Sequence, residues 1–136
     1  MSTIIPITKV IQGDDFLESI IVLDTTSTPI PLSNMVDYNA YIYTKDDTGV
    51  KTLLYIYRKT QVSGSGDFPI QTIDTNTQGI LLSRAQTSTL ADKTKLYIQS
   101  AILIPSASFY ETGEQKNSQE AILCEIISSP YPSTWI

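Results

Sequence analysis

Carboxylates are the side chains of this sequence best suited to acid–base or metal chemistry. Three groups of them stand close together in the sequence. These are Asp14-Asp15, Asp46-Asp47 and the pair Glu111 and Glu114. Each group lies in a predicted turn, where a carboxylate usually accepts hydrogen bonds from the local backbone. None has the alternating oxygen ligands of a calcium-binding loop. The sequence therefore predicts no catalytic residue, no cofactor and no metal site here.

Residues for nucleophilic catalysis are scarce. The chain of 136 residues contains no histidine and one cysteine, Cys124. Histidine is the commonest general base and metal ligand, and a cysteine nucleophile needs a base beside it. Cys124 stands in the apolar run 121–127, which predicts that it packs in the core as a small hydrophobe. These features predict a protein that is not an enzyme.

Tyrosine is the more suggestive residue type, with eight copies. Tyr41 and Tyr43 share one face of a predicted strand, and Tyr55 and Tyr57 share one face of the next. If these strands pair as a hairpin, four rings can lie on one surface. Cross-strand packing in the core and the centre of a protein interface are both compatible with such a cluster. A carbohydrate-binding platform is a third possibility.

The C-terminal segment 128–136 contains two prolines and two large aromatic residues, Tyr131 and Trp135. Proline fixes φ and lacks an amide hydrogen, so the segment cannot be helical and is a poor strand. A free tail of this kind would expose apolar surface to water. Trp135 therefore either folds back onto its own domain or belongs to an extended arm that docks on a neighbouring subunit, and we favour the arm.

The charge balance argues against nucleic acid as a partner. Nine basic and fourteen acidic residues give a net charge of −5, whereas phosphate backbones are bound by clustered basic surfaces. The first residues lack the basic start and long apolar stretch of a signal peptide. No apolar run approaches the ~20 residues of a membrane helix. We expect a protein that folds in a cytoplasm and binds neither nucleic acid nor membrane.

The elements that hold these residues are predicted to be strands. In 36–44, Val36, Tyr38, Ala40 and Ile42 alternate with polar residues and tyrosines, which is typical of a half-buried strand. Ser83 and Gln86 form a capping-box pattern at one short helical turn, 83–90. The predicted strands are Ile4–Ile11, Phe16–Leu23, Val36–Thr44, Thr52–Arg58, Phe68–Ile73, Gly79–Leu82, Lys95–Ile104 and Ala121–Ile127.

About eight short strands cannot bury their faces in one open sheet. We therefore predict an all-β fold, an immunoglobulin-like two-sheet β-sandwich with one short helical turn. The sandwich domain is expected over residues 1–127, with 128–136 as the C-terminal arm. The polar segment 106–119 is predicted to be a long loop, and 61–67 a mobile one.

Several segments, in order, resemble the β-sandwich domain at the N-terminus of phage baseplate upper proteins and related virion adaptor proteins. They are Gly13-Asp14-Asp15-Phe16, Ile30-Pro31-Leu32-Ser33, Gly79-Ile80-Leu81-Leu82-Ser83, Gln86-Thr87-Ser88-Thr89-Leu90 and Leu96-Tyr97-Ile98. The resemblance covers roughly residues 13–127 and carries over no catalytic residue. It implies a structural module that anchors or bridges parts of a virion.

On this basis the expected function is that of a bacteriophage virion structural protein. It would be assembled in the host bacterial cytoplasm and dock on a larger head or tail assembly through edge strands and terminal arms. The sequence does not distinguish between a head auxiliary protein, a fibre adaptor and a baseplate component. Expected partners are other virion proteins, with self-association in a symmetric assembly as a further possibility. A carbohydrate- or receptor-binding module is the alternative, and a glycan-degrading enzyme using Asp/Glu pairs ranks behind it.

Overall fold

The computed structural model describes residues 7–23, 26–60, 67–104 and 114–128. These ranges contain ten strands, one short helix and a 3₁₀ turn at Leu32–Asn34. The strands are β1 (Lys9–Ile11), β2 (Phe16–Ile20), β3 (Asp37–Lys45), β4 (Lys51–Arg58), β5 (Asp67–Pro69), β6 (Gln71–Asp74), β7 (Thr77–Leu82), β8 (Lys95–Ile104), β9 (Glu114–Asn117) and β10 (Ala121–Ile127), and the helix α1 is Arg84–Ser88.

The strands form two sheets. The large sheet has seven strands in the order β1-β10-β8-β3-β4-β5, with β9 also paired to β8, and the small sheet has three in the order β2-β7-β6. Pairing is antiparallel except between β1 and β10 and between β4 and β5. The inner faces of both sheets contribute to one hydrophobic core. The predicted all-β sandwich is therefore confirmed.

Alternation along the strands decides which residues enter this core. In β3, Tyr38, Ala40 and Ile42 are fully buried, and in β7 the same holds for Ile80 and Leu82. Successive side chains of a strand point to opposite faces, so the intervening residues face outward. Cys124 of β10 is buried in the same core, as its apolar run predicted.

Helix α1 is bound by hydrogen bonds to both the β1–β2 turn and Tyr57 of β4. The predicted capping box is confirmed: Ser83 Oγ accepts from the Gln86 amide at 3.3 Å, and Gln86 Oε1 accepts from the Ser83 amide at 2.8 Å. Thr87 Oγ1 accepts from the Gly13 amide at 3.0 Å and donates to the Asp14 carbonyl at 2.8 Å. The helix is thereby joined to the β1–β2 turn, where Gly13 has a φ of 88° that glycine adopts most easily.

Two sequence predictions need correction. The predicted strand 68–73 is divided at the buried residue Ile70, because the chain leaves the large sheet after β5 and enters the small sheet with β6. The predicted loop 106–119 contains β9, which pairs with β8 from Ala101↔Asn117 to Ile104↔Glu114. A strand that forms by pairing with a long neighbour needs no apolar alternation of its own, so its sequence gave no signal.

Candidate functional site

The register of the β3–β4 hairpin decides where its four tyrosines lie. Near the turn, Lys45 pairs with Lys51 and Tyr43 with Leu53. The same register continued along the hairpin would pair Tyr41 with Tyr55 and place all four tyrosines on one face. A bulge intervenes instead: Ile42 pairs with Tyr55, so that Leu54 is the extra residue of β4. One extra residue turns every following side chain of that strand to the opposite face.

The predicted surface of four tyrosines is therefore wrong. Tyr55 and Tyr57 face the core, where the ring of Phe68 packs edge-on to the first and stacked on the second. The Tyr57 hydroxyl donates to the Leu81 carbonyl at 2.6 Å and accepts from Gln86 Nε2 at 3.1 Å. Burial raises the pKa of Tyr57 to about 12. The predicted interface residue Tyr57 is thus a core residue that links the two sheets.

Tyr41 and Tyr43 lie on the outer face of the large sheet. Tyr43 stacks on Tyr97 with ring centroids 5.8 Å apart. Lys45 Nζ lies 4.3 Å from the Tyr97 ring centre, and Lys51 Nζ lies 5.0 Å from that of Tyr43. Cations over aromatic faces are attracted by the ring quadrupole. These neighbours leave Tyr43 only 4% exposed, although it points away from the core.

Glu120 connects the charged groups of this face. Its carboxylate lies 2.5 Å from Lys45 Nζ and 3.6 Å from Lys51 Nζ, and it accepts a hydrogen bond from the Tyr43 hydroxyl. The hydrogen bonds from Lys45 and Tyr43 lower the pKa of Glu120, and burial followed by the Glu120 contact raises that of Tyr43. Both shifts move these groups away from neutral pH, which is unfavourable for acid–base catalysis. We call Tyr43, Tyr97, Lys45, Lys51 and Glu120 the lysine–tyrosine cluster.

The outer face of the small sheet has a different character. Leu17 of β2 pairs directly with Leu81 of β7, and both point outward with 49% and 37% of their surface exposed. Ile73 of β6 is 43% exposed. A methyl group at Gly79 would lie 2.9 Å from Leu17 Cδ1 and 3.1 Å from Ile73 Cδ1, so these two side chains approach each other above the glycine. We call Leu17, Ile73 and Leu81, with Gly79 at their centre, the apolar face.

No charged side chain alternates with these residues on the outward side of β2 and β7, and the polar Gln71 of β6 also lies beside Gly79. Outward positions of a solvated antiparallel sheet are normally polar, so a contiguous exposed apolar patch at this place is a candidate interaction site. Sequence reasoning missed this site because Leu17 and Leu81 fall in strands that are apolar on both faces. The signal present in the sequence was the outward alternation of Leu17, Ser19 and Ile21, with Ile21 also exposed.

The inward side of β2 carries one acidic residue. Glu18 pairs with Ile80 and shares the core side of the strand with Phe16 and Ile20. Burial raises the pKa of Glu18. Burial, together with the nearby Glu18, raises the pKa of Cys124 to about 11, so the thiol is protonated at neutral pH and is a poor nucleophile. Inward charges on edge strands oppose pairing with a further strand.

Asp46 binds the backbone of its own turn, as predicted, whereas Glu114 begins β9 instead of lying in a turn, and Glu111 lies outside the described residues. Asp46 Oδ1 accepts from the amides of Thr48 and Val50, each at 2.9 Å. Asp15 Oδ1 accepts from the Arg84 amide at 2.7 Å. Across the described ranges, no group of three His, Cys, Asp or Glu side chains is placed to hold a metal ion. In those same ranges no helix combines the length and hydropathy required to cross a membrane.

The remaining predicted interface residues, Tyr131 and Trp135, lie outside the described residues, as does the C-terminal arm apart from Ser128. The Ser128 amide donates to Asp92 Oδ1 at 2.7 Å. Comparison of the sequence with models of known families found no match, and neither did a search of curated proteins. The resemblance to phage adaptor domains therefore stays a prediction.

Proposed function

We propose that this chain is a structural protein of a bacteriophage particle, a non-catalytic module that docks on a larger head or tail assembly. The observation that carries the docking role is the apolar face. Leu17, Ile73 and Leu81 form a contiguous exposed patch on a sheet whose inner side already supplies its share of the core. The assignment to a virion rests on the sequence segments that resemble, in the same order, those of phage adaptor domains.

The proposed partner is another protein of the same particle, with an apolar surface of its own. Burial of exposed aliphatic side chains is worth roughly 25 cal/mol per Å², and a particle that holds many copies multiplies weak contacts. The proposed contact is the face of the small sheet rather than its β2 edge, because Glu18 points inward from that edge. Additional strand pairing would bring a new chain close to this partly buried carboxylate.

The register of the β3–β4 hairpin argues against carbohydrate binding by the four tyrosines, because it does not bring them to one face. Two of the rings face the core and Tyr43 is nearly covered. A sugar platform needs aromatic faces open to the ligand, and within the described part of the hairpin only Tyr41 is left partly open on the outer face.

The direct experiment is mass spectrometry of purified, intact particles of the phage that encodes this chain. The proposal expects the polypeptide at a fixed ratio to the major particle proteins, retained through a density gradient and high-salt washing. Its absence from intact particles, with detection only in the lysate, would overturn the virion assignment.

A further inference from the structure

A lysine-lined depression lies at the end of the sandwich where the β3–β4 hairpin meets the segment between α1 and β8. Its volume is about 580 Å³. Lys45, Lys93 and Lys95 line it together with Tyr97, and the partly buried side chains of Leu54 and Leu90 supply an apolar part. The depression is thus both basic and partly apolar.

Three of the nine basic residues of an acidic chain meet at this place. Elsewhere in the described structure the cations are mostly engaged: Arg58 with Asp67, Arg84 with Asp15, and Lys59 with two backbone carbonyls. Lys45 is engaged with Glu120. Lys93 and Lys95, in contrast, make no side-chain hydrogen bond or ion pair with any described residue.

Two acidic residues adjoin these lysines in sequence or in register, and neither forms an ion pair with them in the described structure. Asp92 adjoins Lys93 in sequence, and its Oδ1 accepts the Ser128 amide. Glu125 pairs in register with Lys95 on one side and with Lys9 on the other, but forms no ion pair within 4.0 Å in the described structure. Lys93 and Lys95 therefore line the depression with ammonium groups that have no hydrogen-bond partner among the described residues.

The backbone at Lys93 supplies a second, independent observation. Its φ is 65°, in the left-handed region that costs free energy for any residue with a Cβ. It occupies the third position of the turn 91–94, in which the Thr94 amide donates to the Ala91 carbonyl at 3.2 Å. Glycine is the residue that fits this position of such a turn best. A lysine here sacrifices fold stability, and the part it adds over glycine is its long cationic side chain.

We propose that this depression binds a carboxylate-bearing segment of a partner protein. Lys93 and Lys95 would contact the carboxylates, and Leu54 and Leu90 an aliphatic side chain of the same segment. A short acidic peptide needs only this local positive charge, whereas a nucleic acid would meet the net negative charge of the whole chain. The site is separate from the apolar face and differs from it in chemistry, so it goes beyond the docking role proposed above.

Fluorescence anisotropy of a labelled hexaglutamate peptide, with hexaglutamine as the neutral probe, tests this proposal on the full chain. At low ionic strength we expect saturable binding of hexaglutamate that weakens as salt is added, and no binding of hexaglutamine. Exposed ion pairs are weak, so each lysine is expected to contribute about threefold in affinity. Lys93→Gln/Lys95→Gln should then weaken binding about tenfold.

Lys93→Gly separates binding from folding. Because glycine relieves the left-handed strain, the melting temperature should stay equal or rise, while hexaglutamate affinity falls about threefold. Lys9→Gln is the matched control, since Lys9 is an exposed lysine that also pairs in register with Glu125 but lies outside the depression. It should leave the affinity unchanged.

Three outcomes would overturn the proposal: no saturable hexaglutamate binding, binding that Lys93→Gly and Lys93→Gln/Lys95→Gln both leave intact, or equal binding of a hexathymidylate oligonucleotide through the same lysines. Leu17→Glu should not change hexaglutamate affinity. Failure of the acidic-segment site therefore leaves docking through the apolar face untouched, and the reverse also holds.

Discussion

The outer faces of the two sheets differ in which side chains they expose to water. On the large sheet, the lysine–tyrosine cluster pairs its charges and covers its rings within the chain itself. On the small sheet, Leu17, Ile73 and Leu81 remain exposed around a glycine. The tyrosine spacing was thus a weaker guide to exposed surface than three ordinary aliphatic residues, because three of the four hairpin tyrosines pack on other rings of the chain.

This difference between the two faces also distinguishes residues that stabilise the fold from residues that are available to a partner. A residue that is held by its own chain contributes to folding, and its replacement costs free energy of unfolding. A residue left exposed contributes little to folding, so its apolar character is free to serve a partner. Replacing single residues of each kind tests this separation.

The largest expected difference in the free energy of unfolding is between variants of two neighbouring residues in β7, Ile80 and Leu81. Ile80 is fully buried, and Ile80→Ala should lower the free energy of unfolding by about 3 kcal/mol, through lost burial and the cavity left behind. Leu81→Ala should cost less than about 1 kcal/mol, because its side chain faces outward. Urea denaturation measures both. Equal losses would show that Leu81 is part of the fold rather than of a docking surface.

On the large sheet, Tyr43→Ala should lower the free energy of unfolding by about 2 kcal/mol even though Tyr43 points away from the core. The variant removes the stack on Tyr97 and a ring that is almost wholly covered. Tyr41→Ala, on the same strand face and less covered, is the control and should cost less. If Tyr43→Ala were as mild as Leu81→Ala, the contrast between the two outer faces would disappear.

Between the sheets, Gln78 is fully buried and neither amide atom has a hydrogen bond in the described structure. Gln78→Met should raise the free energy of unfolding by about 1 kcal/mol, since an unpaired buried amide is costly. Gln86→Met is the matched control: its amide bonds both Ser83 and Tyr57, so it should destabilise. A loss of stability in Gln78→Met would mean that the amide is paired after all.

The smallest effect concerns acid dependence. The folded-state pKa of Glu120 is lowered from its ordinary value of 4.5, chiefly by the hydrogen bond from Lys45. Its contribution to stability is therefore present above that value and is lost as the pH falls through the folded pKa. Glu120→Gln should lower the melting temperature at pH 7, and the gap to the parent should close in acid. Asp47→Asn, at an exposed turn position outside these contacts, is the control and should leave the melting temperature at pH 7 close to that of the parent.

The sequence predicted much of this fold because most of its information is local. Alternation identified β3 and β8, and the Ser83–Gln86 pattern identified α1. The face of the sheet on which Tyr55 and Tyr57 lie depends on Leu54, the extra residue of a bulge. A run that is apolar on both faces, as 53–57 is, gives no indication of where such a bulge falls.

Long-range placement was equally hidden. Nothing local in 68–73 indicates that the chain changes sheets at Ile70, and the polar β9 becomes a strand only beside β8. The apolar face is assembled from β2 and the β6–β7 hairpin, which are far apart in the sequence, so it becomes visible only when the three strands are side by side. The lysine-lined depression likewise joins residues from different segments.

The most direct measurement compares two exposed leucines, one on each outer face. Leu17 on the small sheet is 49% exposed and Leu53 on the large sheet is 53% exposed, so glutamate should be tolerated by the fold at either position. Each variant would be supplied in place of the parent chain during phage assembly, and its amount in purified particles measured by mass spectrometry. We expect Leu17→Glu to be lost from particles and Leu53→Glu to be retained. Retention of Leu17→Glu at the parent level, or loss of Leu53→Glu alone, would contradict docking through the apolar face.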